Sequence, residues 1–291
     1  MKGFKAIFTA TLLEIACDPL ALLITLSALA LSTFAGALHY HQFGEPSRMA
    51  REAGVSALLI PGLAFAVFSS IRAIRREMES GTVQMALAHS VSRAGFLFAK
   101  MTGVLAAFSI FFATVWANSL VAVKGSELGA LAANGDIARV WGPSLALGVA
   151  AIAVPPVLGA ILNRFASLRF VRTATFFALF ISLAGVFYKF DSALALRQLG
   201  LSLAVFPPVI FFIALAGAAA VRLKGNSASA LSFAVMAFAL PVLGAHYLPD
   251  ALENGGSVPL GYLSLSFAAA LPLAAAAFLA GVGLFCERDL T

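Results

Sequence analysis

The sequence predicts an all-α, polytopic transmembrane helical bundle forming a single domain over residues 1–291, and three observations carry that prediction. Hydrophobic residues make up 61% of the chain and charged residues only 11%, with a mean hydropathy of +0.97. A soluble domain needs about a quarter charged residues to solvate its surface. Eight apolar stretches also reach the roughly 20 residues needed to cross about 30 Å of hydrocarbon. No stretch alternates apolar and polar residues as a barrel strand would.

In chain order, residues 2–16 place Phe4, Ile7, Phe8, Leu12 and Ile15 on one face at helical spacing. This predicts an interfacial N-terminal helix, assigned to 1–18. A frayed tail is the other reading those residues allow. The apolar stretches then run 19–38, 53–71, 97–123, 141–162, 170–188, 199–221, 228–248 and 260–285. About eight spans are expected, with six as the alternative. The fifth contains Arg172 near its start, which must snorkel to the interface. Ala35–Ala37 imitates a signal-peptide cleavage site, but the apolar run before it is too long and Asp18 precedes it.

Lys and Arg set the orientation. With a cytosolic N-terminus, thirteen basic residues fall on the cytosolic side and six outside, so both termini are expected in the cytosol. The net charge of +6 reflects basic residues clustered beside the apolar spans, where lipid headgroups and topology select them, and nothing resembles a nucleic-acid-binding module. Cys17 and Cys286 have no metal or redox spacing.

Prolines fall in the second, fourth, sixth, seventh and eighth stretches, at Pro61, Pro155-Pro156, Pro207-Pro208, Pro241 and Pro272. Each is expected to bend its helix. Small-residue runs such as Ala216–Ala220 permit close helix packing.

Residues 73–96 form the longest cytosolic loop of this scheme. Arg75 and Arg76 close the second span, Glu77 and Glu79 follow, and Ser80-Gly81-Thr82 combines a helix breaker with capping residues. Val83, Ala86, Leu87 and Val91 then recur at helical spacing, and Ser92-Arg93 ends the segment. A short amphipathic helix is expected, lying on lipid headgroups or against a partner. A plain connector needs fewer residues.

From Glu77 to Lys100, the pattern Glu-x-Glu-Ser-Gly-Thr-Val-Gln, then Leu87, then Val91-Ser92-Arg93 and Lys100, resembles the first cytosolic loop of type-2 permeases of ATP-binding-cassette exporters. The family's usual Pro is Ser90 here. The ending Phe285-Cys286-Glu287-Arg288-Asp289-Leu290 is also similar to that family. The resemblance covers residues 1–118 and the last eight. It implies a permease subunit in a bacterial inner membrane, paired with a second permease subunit as a homo- or heterodimer and driven by a separate cytosolic ATPase. It assigns the coupling contacts to Glu77, Glu79, Gly81, Thr82, Leu87, Ser92 and Arg93, with no cofactor and no catalytic residue.

Other chemistry finds little support in the residues. No Walker-type phosphate loop occurs, so nucleotide binding would need a partner. Asn134–Arg139 resembles half of a phospholipid-headgroup transferase motif, but Asn134, Ile152 and Pro156 stand where its metal-binding carboxylates belong. His39, His41 and His246 are too few for a metal site. Arg48 and Glu52 are spaced as an ion pair on an outer interfacial helix. A non-transporting membrane scaffold or assembly protein remains the alternative function.

Overall fold

The computed structural model describes residues 2–36, 48–80, 92–131, 137–187, 191–243 and 258–287. All regular structure among them is α-helical. The helices are α1 (Lys2–Ala16), α2 (Pro19–Gly36), α3 (Arg48–Glu79), α4 (Arg93–Leu131), α5 (Ile137–Ala166), α6 (Phe170–Val186), α7 (Ser192–Leu203), α8 (Phe206–Arg222), α9 (Gly225–Leu243) and α10 (Leu260–Cys286).

Five helical stretches among the described residues are long and apolar enough to cross a membrane, or six if the bent α1–α2 pair is one broken span. Four of the five are α3, α4, α5 and α10; the fifth joins α7 to α8 through the two-residue break at Ala204-Val205. The eight stretches of the sequence scheme are therefore not all equivalent. α6 has 17 residues, about 25 Å of helix at 1.5 Å per residue, short of a bare hydrocarbon core. Residues 244–248 of the seventh stretch lie outside the described residues.

Local chemistry explains the breaks. Asp18 Oδ1 accepts the Leu20 N–H at 3.1 Å, and Pro19 begins α2, where a missing N–H costs nothing. α1 and α2 meet there at 60°. The Pro207-Pro208 pair, expected to bend the interior of a span, instead lies in the first turn of α8. That turn has no intrahelical N–H bonds to lose. Pro61, Pro155, Pro156 and Pro272 do lie inside helices.

The core gathers around α3, α4 and α8. Of the most apolar stretch of α3, 67% is buried, against 22% for α10. α3 is thus a central strut, and α10 shows most of its side chains to the surroundings. Phe65 stacks on Phe111 at 5.0 Å, and Phe206 meets Phe108 and Phe112 edge-on at 5.3 and 4.8 Å. Leu260, Phe165 and Phe187 are more than four-fifths exposed, a cost in water that lipid removes. The apolar helices thus fit a membrane-embedded protein.

α1 packs against α4. Phe4 meets Phe98 at 6.0 Å, and a Cβ on Gly103 would lie 2.8 Å from Thr11 Cβ. Glu14, in the last turn of α1, reaches Lys100 of α4 and Arg76 of α3.

Candidate functional site

α3 stops and α4 starts at the same end of the bundle. α3 continues through Arg75, Arg76, Glu77 and Glu79, so the helix extends well past the predicted span limit at residue 71. α4 begins at Arg93, with Ser92 Oγ accepting the Gly95 N–H at 3.0 Å as its cap. Both ends of the stretch read as a loop are therefore helical. Segment 81–91 lies outside the described residues, and with it Gly81, Thr82 and Leu87. His39, His41, His246 and Arg288–Leu290 also lie outside them.

The described site residues meet at this end. Lys100 is fully buried. Its Nζ lies 2.5 Å from Glu77 Oε1 and 3.7 Å from Glu14 Oε2. The close approach is side-on, which makes it an ion pair and not an aligned hydrogen bond. Arg76 Nη1 reaches Glu14 Oε1 at 3.3 Å. Two cations and two carboxylates thus form a neutral quartet joining α1, α3 and α4. Neutrality matters because a lone charge taken out of water carries a penalty of several kcal/mol, roughly.

Two further clasps flank the quartet. Arg75 pairs with Glu79 at 2.8 Å and donates to the Leu223 carbonyl at 3.1 Å, fastening α3 to the end of α8. Arg93 donates to the carbonyls of Phe285 and Cys286, both at 2.8 Å, while its guanidinium lies 5.7 Å from the Phe285 ring centre. Those carbonyls belong to the last turn of α10, where an unsatisfied helix end welcomes a cation. Arg72 pairs with Asp18, and Arg222 with Glu287 at 3.2 Å.

Of the residues singled out in the sequence, Glu77, Glu79, Ser92 and Arg93 all lie on the two helix ends that flank segment 81–91. Glu14, Asp18, Arg72, Arg76 and Lys100 were not singled out as site residues. Lys100 carried a readable signal: it falls inside the predicted span 97–123, where a charge needs a partner. A cleft of about 760 Å³ opens beside the quartet, walled by Glu14, Cys17, Arg76, Glu77, Arg169 and Phe170.

Polar groups recur deeper in the bundle. Asn118 Nδ2, itself buried, donates to Ser32 Oγ at 2.8 Å and Thr33 Oγ1 at 2.9 Å, tying α2 to α4. Towards the opposite end, Lys124 Nζ donates to Asp191 Oδ2 at 3.0 Å. Asp191 caps α7 through the N–H groups of Ala193 and Leu194. The Lys124 hydrogen bond first, then the Leu194 N–H, hold the Asp191 carboxyl below its usual range against an opposing desolvation, with the Lys124 charge and the Ala193 N–H adding to the lowering.

The arrangement offers mechanical linkage: five elements are tied at one end by charged side chains. No protein-family model, no curated protein and no solved structure matches this chain.

Proposed function

We propose that the chain is the membrane-spanning permease subunit of an ATP-binding-cassette exporter, working beside a second permease subunit in a bacterial inner membrane. Segment 81–91 receives the stroke of a separate cytosolic ATPase. The observation that carries this reading is the Glu77–Lys100 pair. It closes the base of the segment by joining the last turn of α3 to the second turn of α4. A displacement of the segment is then passed to two long helices as one body, and through Glu14 to α1. A free connector would dissipate the same displacement.

In this reading the clasped end faces the cytosol. Support comes from the basic residues gathered there, Arg72, Arg75, Arg76, Arg93, Lys100 and Arg222, in keeping with the positive-inside bias. α6 and α9 would complete the eight spans, with Arg172 snorkelling at the headgroups. Energy for transport comes from the partner, and the cargo is apolar or amphipathic, since ionisable groups in the middle of the spans are scarce.

The test is purification of the intact protein in detergent, with Gly81→Pro and Arg93→Glu variants in parallel. An ATPase should accompany the wild type, and its turnover should lose its dependence on the permease in the variants. If no ATPase accompanies the wild type, the transporter reading fails and a membrane scaffold takes its place.

A further inference from the structure

The turn between α5 and α6 stands apart from the rest of the clasped end. With the helix ends that flank it, it carries Arg164 in the last turn of α5, Arg169 in the turn itself and Arg172 in the first turn of α6, all exposed. No carboxylate among the described residues lies within ion-pair distance of any of them. Five other cations of this end are engaged: Arg72 by Asp18, Arg75 by Glu79, Arg76 by Glu14, Lys100 by Glu77 and Arg222 by Glu287, while Lys224, exposed between α8 and α9, stands singly and not in a cluster. The sequence shows how the difference arises, since no Asp or Glu occurs between Asp136 and Asp191. Glu14 and Glu77 face the same cleft as Arg169, but Arg76 and Lys100 already balance them.

The turn is also built to hold a shape. Asn163 Nδ2 donates to the Leu168 carbonyl at 2.7 Å, and the Leu168 N–H reaches Leu162 O at 3.4 Å. Ser167 takes the left-handed conformation with φ 52°, a region that non-glycine residues enter only under local constraint. Large apolar side chains alternate with the arginines: Phe165 is 84% exposed, Leu168 38% and Phe170 37%. Guanidinium groups match phosphate oxygens by paired N–H donors. Exposed phenyl groups beside them enter the boundary between headgroup and acyl chain.

We propose that this turn is a recognition site for an anionic phospholipid headgroup, with the three arginines holding the phosphate and Phe165 and Phe170 seated among the first acyl carbons. An acidic protein segment would satisfy the arginines but leave Phe165 exposed. The α5–α6 hairpin is apolar on both sides of the turn, so lipid already adjoins it.

The test uses Phe165→Trp protein in vesicles of phosphatidylcholine and phosphatidylglycerol, with either lipid brominated on its chains. Quenching of the new tryptophan reports which lipid adjoins the turn; protein retaining Phe165 corrects for Trp116 and Trp141. At low salt, brominated phosphatidylglycerol should quench with roughly fivefold or greater relative preference. That preference should fall towards unity in R164Q/R169Q/R172Q and at about 0.5 M salt. It should persist in R164K/R169K/R172K, which keeps the charge and serves as the folding control. Equal quenching by both lipids in the wild type overturns the proposal, as does a preference unchanged in the triple Gln variant. Capture of an acidic peptide by a turn without lipid preference overturns it too.

Discussion

Lys100 Nζ and Glu77 Oε1 lie 2.5 Å apart, with the lysine side chain 1% exposed and the glutamate 24%. The two residues flank a segment of more than twenty residues, so the pair acts as a buckle across its base. Glu14 from α1, with Arg76 of α3, extends the pair into the neutral quartet. Charge here is confined to a place where helix ends meet, and the apolar bodies of the helices are left free to pack in lipid.

Removing one member of this pair should cost far more than removing both. Lys100→Met leaves Glu77 and Glu14 facing each other beside Arg76 alone, and a loss of about 3–5 kcal/mol is expected for a broken buried pair. Glu77→Gln should cost less, because that side chain is partly exposed. The double variant should recover a large share of the sum, and detergent thermal unfolding of the four proteins measures it. If the double variant loses the sum of the single losses, the two groups are not coupled.

The clasp by Arg93 makes a prediction local to α10. Its guanidinium satisfies the Phe285 and Cys286 carbonyls. Arg93→Ala should let the last turn of α10 fray, with amide exchange of Phe285–Glu287 accelerated about tenfold, equivalent to roughly 1.4 kcal/mol. Arg93→Lys should retain part of the protection, since a lysine reaches one carbonyl but lacks the planar fork. Unchanged exchange in Arg93→Ala would show that α10 holds its end by packing alone.

The sequence predicts the helical class, and marks residues 77–100 as a charged stretch between apolar ones, because both rest on local signals. What it left unread is the company those residues keep. Glu14 and Lys100 are 86 positions apart, and only the packing of α1 against α4 brings them together. The proline pair at 207–208 reads as a kink because hydropathy runs unbroken through it; the pair instead opens α8, just after the break at Ala204-Val205. Span number was equally hard to read, since a 17-residue helix such as α6 passes a composition test more readily than a length test.

Acid should act on the far end of the bundle through Asp191. Its carboxyl titrates below the usual range, so its contribution to stability is fully present above the unfolded value of about 3.9. That contribution is lost as pH falls through the lower, folded value. The difference in thermal midpoint between the wild type and Asp191→Asn should therefore hold steady from neutral pH to about 5 and shrink below about 4. A gap that persists undiminished at about pH 3 would mean the Lys124 contact is not what Asp191 contributes.

Two glycines on the α8 interfaces should respond oppositely to the same change, because of what each would meet. A Cβ on Gly281 would lie 3.0 Å from both Cα and Cβ of Ala218, atoms fixed to the backbone of α8. A Cβ on Gly217 would come closer still, 2.5 Å, but to the terminal methyl of Met101. A methionine end swings aside at little cost, whereas two helix backbones must separate to admit the other methyl group. Gly281→Ala should therefore destabilise by about 1–3 kcal/mol. Gly217→Ala should be near neutral, its crowding offset by about 1 kcal/mol of helix propensity. Thermal unfolding of the two variants decides the matter. An equal loss in both would mean that Met101 is as tightly held as the backbone, and that the α4–α8 contact is as rigid as the one between α8 and α10.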